Sequence, residues 1–305
     1  MDMVVGRFAP SPSGRMHLGN VWSALLAWLS VRSQNGEMVL RLEDLDPDRC
    51  RPEYCDQLKD DLQWLGLDWD REQTRQSMRT DAYAAAFSKL DSMGLVYPCY
   101  CSRADLHAAN APHASDGRLL YAGTCRHLTE QQRREKTKAP AWRLMVPDET
   151  ITFTDGLQGI ISENLAADCG DFIIRRADGV YAYQLAVVVD DLEGGITEVV
   201  RGRDLLDSTP RQRYLYKLLE GTPPATYHVP LLLAADGRRL SKRERDLDLG
   251  ILRQTMTAEA LLGRLASLAG LLDRPEPVSA GDLVRYFHWN RVPSRDIFVE
   301  FGDFC

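Results

Sequence analysis

The stretch Arg7-Phe8-Ala9-Pro10-Ser11-Pro12-Ser13-Gly14-Arg15-Met16-His17-Leu18-Gly19-Asn20 decides the fold of this 305-residue chain. A short apolar strand at Val4-Val5 precedes it, and apolar residues at helical spacing follow from about Leu18 to Gln34. Strand, tight loop and helix N-terminus together make an anion site, because free backbone N–H groups and the helix dipole point at one place. Pro10 and Pro12 stiffen the loop, and Gly14 and Gly19 let backbone or ligand approach. The pattern predicts a nucleotide site, although the loop carries neither G-x-G-x-x-G nor G-x-x-x-x-G-K-[ST].

Working outward, Met38 to Leu42 reads as a second strand that runs into Glu43, Asp44 and Asp46. Carboxylates at the C-terminal end of a strand sit where a doubly wound sheet contacts its ligand. Glu43 suits a substrate ammonium; the same acids would also cap a helix starting near Pro52. Helical spacing marks residues 52–65 and 79–93, closed by Gly66 and Gly94. A strongly apolar segment, 180–191, ends in Asp190 and Asp191, and Thr197 to Arg201 is β-rich. Ser208-Thr209-Pro210 opens a helix, and Tyr227 to Leu233 reads as a buried strand. Tyr183 and Arg201 can face a ligand, the arginine fork suiting a carboxylate. The basic loop Arg238-Arg239-Leu240-Ser241-Lys242-Arg243 follows, placed to close over a polyphosphate. Residues 251–305 are expected to be mostly helical.

Composition narrows the class. The chain is 44% hydrophobic and 27% charged, with net charge −7, which is globular and excludes a nonspecific nucleic-acid binder. No apolar run approaches a membrane span and the first residues are not a secretory signal, so a cytoplasmic protein with no membrane partner is expected. Reduced thiols at close spacing then favour metal over disulfides. Cys99 and Cys101 make a C-x-C pair and Cys125 follows, giving three thiolates of a closed zinc site. General chemistry favours His127 or His113 as the fourth ligand, with Tyr121 an unusual one.

The loop with His17-Leu18-Gly19-Asn20 resembles the first signature of class I aminoacyl-tRNA synthetases, usually written HIGH. Arg239-Leu240-Ser241-Lys242-Arg243 resembles their second, KMSKS. The detail is similar to the glutamate-specific branch. It lies in Arg7-x-Ala9-Pro-Ser11-Pro, Arg41-x-Glu43-Asp44-x-Asp46, Tyr183-x-Leu-Ala, Val-Asp190-Asp191 and Arg201-Gly-x-Asp204, over roughly residues 4–250. Asn20, Gln184 and Arg243 depart from the pattern.

The chain continues only about sixty residues past Lys242, too few for a further domain of ordinary size. It therefore resembles the short paralogues of the glutamyl-Q tRNA(Asp) synthetase family, which lack the anticodon-binding region. That resemblance implies an α/β fold: a class I synthetase Rossmann-type parallel sheet, a zinc-containing insertion and a C-terminal helical region. The expected boundaries are 1–94 and 171–250 for the two halves of the catalytic fold, 95–170 for the insertion and 251–305 for the helical region. The implied reaction is ATP-dependent activation of L-glutamate and its transfer to queuosine in the anticodon loop of tRNA(Asp), with Mg²⁺ accompanying ATP. The alternatives are a truncated glutamyl-tRNA synthetase charging a 3′ end, and a noncatalytic tRNA-binding paralogue. Arg7, Ala9, Ser11, Glu43, Tyr183 and Arg201 are the implied glutamate contacts. His17, Gly19, Asn20, Ser241 and Lys242 are the implied ATP contacts, with His17, Gly19 and Lys242 catalytic. The family pattern makes Tyr121 the fourth zinc ligand beside Cys99, Cys101 and Cys125. A monomer is expected.

Overall fold

The computed structural model describes residues 3–102, 120–238 and 248–304. The first strand, β1 (Val5–Phe8), is buried along its whole length and pairs in parallel with β2 (Glu37–Leu40) in the register Val5 to Glu37 and Phe8 to Leu40. Helix α1 (Leu18–Ser33) makes the crossover between them. Helix α2 (Pro52–Trp64) leads from β2 to β3 (Arg71–Glu72), again parallel to β2. Continuous burial is what a parallel strand covered on both faces requires. Gly6 shows how tightly α1 is seated, since a Cβ there would lie 2.3 Å from Val31 Cγ2.

On the other side of β1 run β9 (Glu198–Gly202) and β10 (Ala225–Val229), parallel to each other and connected through α6 (Thr209–Leu218). Thr197 joins this pair to β1: its N–H donates to the Val5 carbonyl at 2.9 Å, and its Oγ1 accepts from the Val5 N–H at 2.8 Å. The strands therefore lie in the spatial order β3, β2, β1, β9, β10. The loops after β1, β2 and β9 all open at the C-terminal edge, where such sheets bind ligands.

Between β3 and β9 the chain builds a second unit. Helix α3 (Thr80–Ser92) leads to β4 (Val96–Cys99), which pairs antiparallel with β5 (Ala141–Leu144), itself antiparallel to β8 (Phe172–Arg175). The short helix α4 (Glu130–Arg134) precedes β5, and the hairpin β6 (Thr150–Asp155) and β7 (Gly159–Asn164) follows it. The apolar segment at 180–191 is the helix α5 (Tyr183–Glu193), buried from Leu185 to Asp191.

One expectation needed correction. The run Tyr227 to Leu233 is not one strand: Pro230 ends β10, and Leu232–Ala234 starts a separate strand, β11. Proline supplies no N–H to a ladder, so pairing stops there. The 251–305 region is mostly helical, with α7 (Leu249–Thr255), α8 (Ala258–Leu268) and α9 (Ala280–Leu283), and it adds the strand β12 (Ile297–Val299) in parallel with β11. Leu252, Leu261, Leu262, Leu265 and Phe304 share one apolar cluster with Trp22, Leu26 and Leu29 of α1. No helix among the described residues is long and apolar enough to cross a membrane.

Candidate active site

The loop after β1 carries the first set of site residues. His17 stands at the N-terminal boundary of α1, and a Cβ on Gly19 would sit 3.2 Å from the His17 ring. Glycine therefore leaves the imidazole room beside the open helix end. Asn20 shapes the turn, because its Oδ1 accepts from the His17 N–H at 3.3 Å and ties off the first turn of the helix. The Leu249 N–H donates to the Met16 carbonyl at 3.0 Å, so the chain beyond the basic loop returns to this turn. Ser241 and Lys242 lie outside the described residues.

A cleft of about 660 Å³ opens over the turn, with Arg7, Ala9, His17, Gly19, Asn20 and Arg201 in its walls. A second cleft of about 290 Å³ adjoins it, lined by Ser11, Glu43 and Tyr183 among others. Arg49 lines both clefts, and Arg201 Nη1 lies 3.4 Å from Tyr183 Oη. The described residues predicted to contact glutamate and ATP thus come together as one bipartite depression, with Arg7, Ala9, His17, Gly19, Asn20 and Arg201 in the larger part and Ser11, Glu43 and Tyr183 in the smaller.

Buried charge holds these groups in place. Arg41, at the end of β2, is fully buried; Nη1 donates to Asp191 Oδ1 at 2.6 Å and Nη2 to Glu43 Oε1 at 3.1 Å. Arg7 Nε lies 3.5 Å from Asp191 Oδ1. Asp190 accepts from Arg79 Nε at 2.6 Å, Gln76 Nε2 at 2.7 Å and Tyr83 Oη at 3.0 Å. Such pairing is required because a lone buried charge is strongly unfavourable. Burial opposes the Arg41 charge, but Asp191, Glu43 and Asp190 outweigh it and raise its pKa. For Glu43, burial dominates and lifts the carboxyl above the ordinary glutamate value, against the pull of Arg41 and Arg7.

Arg201 is held on several sides. Nε donates to His228 Nε2 at 2.9 Å, and Nη2 donates to Thr209 Oγ1 at 2.9 Å and to the Leu205 carbonyl at 3.3 Å. The guanidinium cannot swing, and Nη1 is left beside Tyr183 at the junction of the clefts.

The cysteine cluster forms apart from the clefts. The sulfurs of Cys99, Cys101 and Cys125 lie within 4.8 Å of one another, with Cys101 and Cys125 at 3.6 Å. Tyr121 Oη is 3.6 Å from Cys99 Sγ and accepts from the Cys125 N–H at 2.7 Å. His127 is exposed and outside this cluster, and His113 lies outside the described residues. Three converging sulfurs in a protein without disulfides among the described residues are a donor set that can hold a metal ion.

The comparisons with known proteins meet this geometry. The family model for the catalytic domain of class I tRNA synthetases of the E and Q type matches residues 3–290. This chain belongs to that family. A relative in Nitratidesulfovibrio vulgaris is 48% identical, covering 97% of this chain and 95% of its own length; it is named glutamyl-Q tRNA(Asp) synthetase. A relative of the same name in Symbiobacterium thermophilum is also 48% identical, over 97% of this chain and 96% of its own. Among solved structures, a glutamate tRNA ligase from Elizabethkingia meningosepticum in complex with its amino acid superposes with TM-score 0.83 at 26% identity. The match covers 99% of this chain and 68% of that one.

In this synthetase, sequence reasoning gave no role to Asp155 and His228, which stand directly behind Arg201. Arg41, Asp190 and Asp191 fell inside quoted motifs without an assigned part, and the structure makes them the ionic support of Glu43 and Arg7.

Proposed function

We propose that this chain activates L-glutamate with ATP and transfers the glutamyl group to queuosine in the anticodon loop of tRNA(Asp). The observation that carries the acceptor is the near-full-length similarity, at 48% identity, to relatives bearing the name glutamyl-Q tRNA(Asp) synthetase. Several residues around the clefts support glutamate as the amino acid. Arg201 and Tyr183 are suited to the side-chain carboxylate, which an arginine fork binds directionally. Glu43 is suited to the α-ammonium, with Arg7, Ala9 and Ser11 completing the wall.

This arrangement leaves the α-carboxylate as the nucleophile. One of its oxygens attacks the α-phosphorus of ATP, an acyl–phosphate bond forms, and the bond to the β-phosphate breaks with its electron pair leaving on pyrophosphate. Such chemistry needs positioning and charge neutralisation rather than a protein nucleophile. His17 and the α1 N-terminus at Gly19 take the phosphates, and Lys242 with Ser241 closes over them as negative charge develops. Asn20 contributes through the shape of that turn. Mg²⁺, arriving with ATP, supplies further neutralisation of the polyphosphate. A hydroxyl of queuosine then attacks the activated acyl carbon, its proton is lost, an ester forms and AMP leaves.

Zinc fits the cysteine cluster, with Tyr121 as fourth donor. It would tie β4 to the turn at Cys125 and supply stability rather than reactivity. A cytoplasmic, monomeric enzyme completes the reading. Labelled glutamate and ATP offered with tRNA(Asp) bearing or lacking queuosine test it: label on the modified tRNA alone is expected. Equal labelling of both, or labelling of tRNA(Glu), would overturn it in favour of 3′-end charging.

A further inference from the structure

Behind Arg201 runs a buried chain of hydrogen bonds that crosses from the β6–β7 hairpin to the sheet. Asp155 closes β6 and is 1% exposed; His228 lies on β10 and is 0% exposed. His228 Nδ1 and Asp155 Oδ2 are 2.6 Å apart, and Arg201 Nε donates to His228 Nε2 at 2.9 Å. An arginine has only donors, so Nε2 must be bare and the ring proton must sit on Nδ1, facing Asp155. The Thr209 hydroxyl, 3.3 Å from Nε2 and already accepting from Arg201 Nη2, can only add to this by donating. Burial and Arg201 keep the ring neutral against the pull of Asp155.

We propose that Asp155 and His228 are positioning residues for glutamate recognition: Asp155 fixes the Nδ1–H tautomer of His228, and that tautomer aims the Arg201 guanidinium at the substrate carboxylate. This rests on the glutamate reading of the cleft. It links the hairpin of the inserted unit to the amino-acid site through three side chains.

The hydrogen bonds of Asp155 make the claim testable by one isosteric change. Its other oxygen, Oδ1, accepts from the N–H groups of Leu157 at 3.1 Å, Gln158 at 3.0 Å and His228 at 3.1 Å. In Asp155→Asn the amide oxygen must take that position, since an NH₂ there would face three donors. The NH₂ then points at His228 Nδ1 and drives the ring proton to Nε2, where it opposes the Arg201 Nε–H. The hairpin turn keeps its cap while the tautomer reverses, and an orienting acid replaced by its amide is known to act in this way in catalytic triads.

Glutamate-dependent ATP–pyrophosphate exchange and ¹⁵N NMR of histidine-labelled full-length protein test the proposal together. The wild type should show a histidine in the Nδ1–H form that becomes Nε2–H in Asp155→Asn. Losing a hydrogen bond to a charged group should raise the KM for glutamate about ten- to a hundredfold, with the KM for ATP unchanged. His228→Gln offers its Oε1 to Arg201 and should stay near wild type, whereas His228→Leu should not; this pair decides the matter if Asp155→Asn fails to fold. An Nε2–H ring in the wild type, an unchanged glutamate KM in Asp155→Asn, or equal defects in His228→Gln and His228→Leu would overturn the proposal. Exchange absent from the wild type would instead sink the glutamate reading, while the NMR still reports the tautomer.

Discussion

Removing the Arg201 guanidinium is the perturbation whose effect the structure constrains best. Arg201 is 6% exposed, and its guanidinium is held by His228, Thr209, the Leu205 carbonyl and Tyr183. A carboxylate bound there replaces water with a fixed cation and gives up little entropy on the protein side. Arg201→Ala deletes that cation, and a hydrogen bond to a charged group contributes roughly 1.5–3 kcal/mol. The expected result is a rise of roughly tenfold to a hundredfold in the apparent KM for glutamate. The assay is ATP–pyrophosphate exchange across a glutamate titration at saturating ATP. The KM for ATP should hold, because Arg201 belongs to β9 and not to the turn at His17 and the α1 N-terminus, where the ATP phosphates are proposed to sit. Thermal melting of the variant separates lost binding from lost folding, since the change also leaves His228 Nε2 with only Thr209 at 3.3 Å. A glutamate KM equal to that of a well-folded wild type would refute the role given to Arg201.

Three further outcomes are expected. Burial lifts the Glu43 carboxyl, so it takes up a proton at a higher pH than an exposed glutamate would; only its ionised form attracts the ammonium. Glutamate affinity should therefore fall as pH is lowered through that raised value, and Glu43→Gln should bind weakly with that pH dependence removed, as isothermal titration would show. Lys242→Ala should slow exchange by on the order of a hundredfold at saturating glutamate and ATP, and near-normal exchange would remove its assigned part. Cys101→Ser should lower the zinc retained after dialysis and depress the melting temperature, because Cys101 Sγ lies 3.6 Å from Cys125 Sγ in the proposed donor set; unchanged metal content would argue against it.

The geometry of the loop after β1 was legible because its residues are contiguous and each has a local reason: prolines for stiffness, Gly19 for room beside His17, Leu18 for entry into α1. The α/β order was legible for the same reason. The run at 180–191 resisted assignment, since a helix buried without a break from Leu185 to Asp191 lacks the alternation that separates helix from strand. Pro230 was visible, yet its consequence, a break between β10 and β11, competed with an uninterrupted apolar run. Strand β12 was hidden because its pairing partner β11 lies more than sixty positions earlier. The supports of the site were the least legible part. Arg41 meets Asp191 across 150 positions and His228 meets Asp155 across 73, and no local spacing announces either contact.

The central claim concerns the acceptor, and the position of the label on the tRNA tests it most directly. After reaction of labelled glutamate and ATP with queuosine-containing tRNA(Asp), nuclease digestion separates the anticodon-loop nucleoside from the 3′-terminal adenosine. Label on the queuosine nucleoside, with none on the terminal adenosine, is the predicted result. Label on the terminal adenosine would contradict the account.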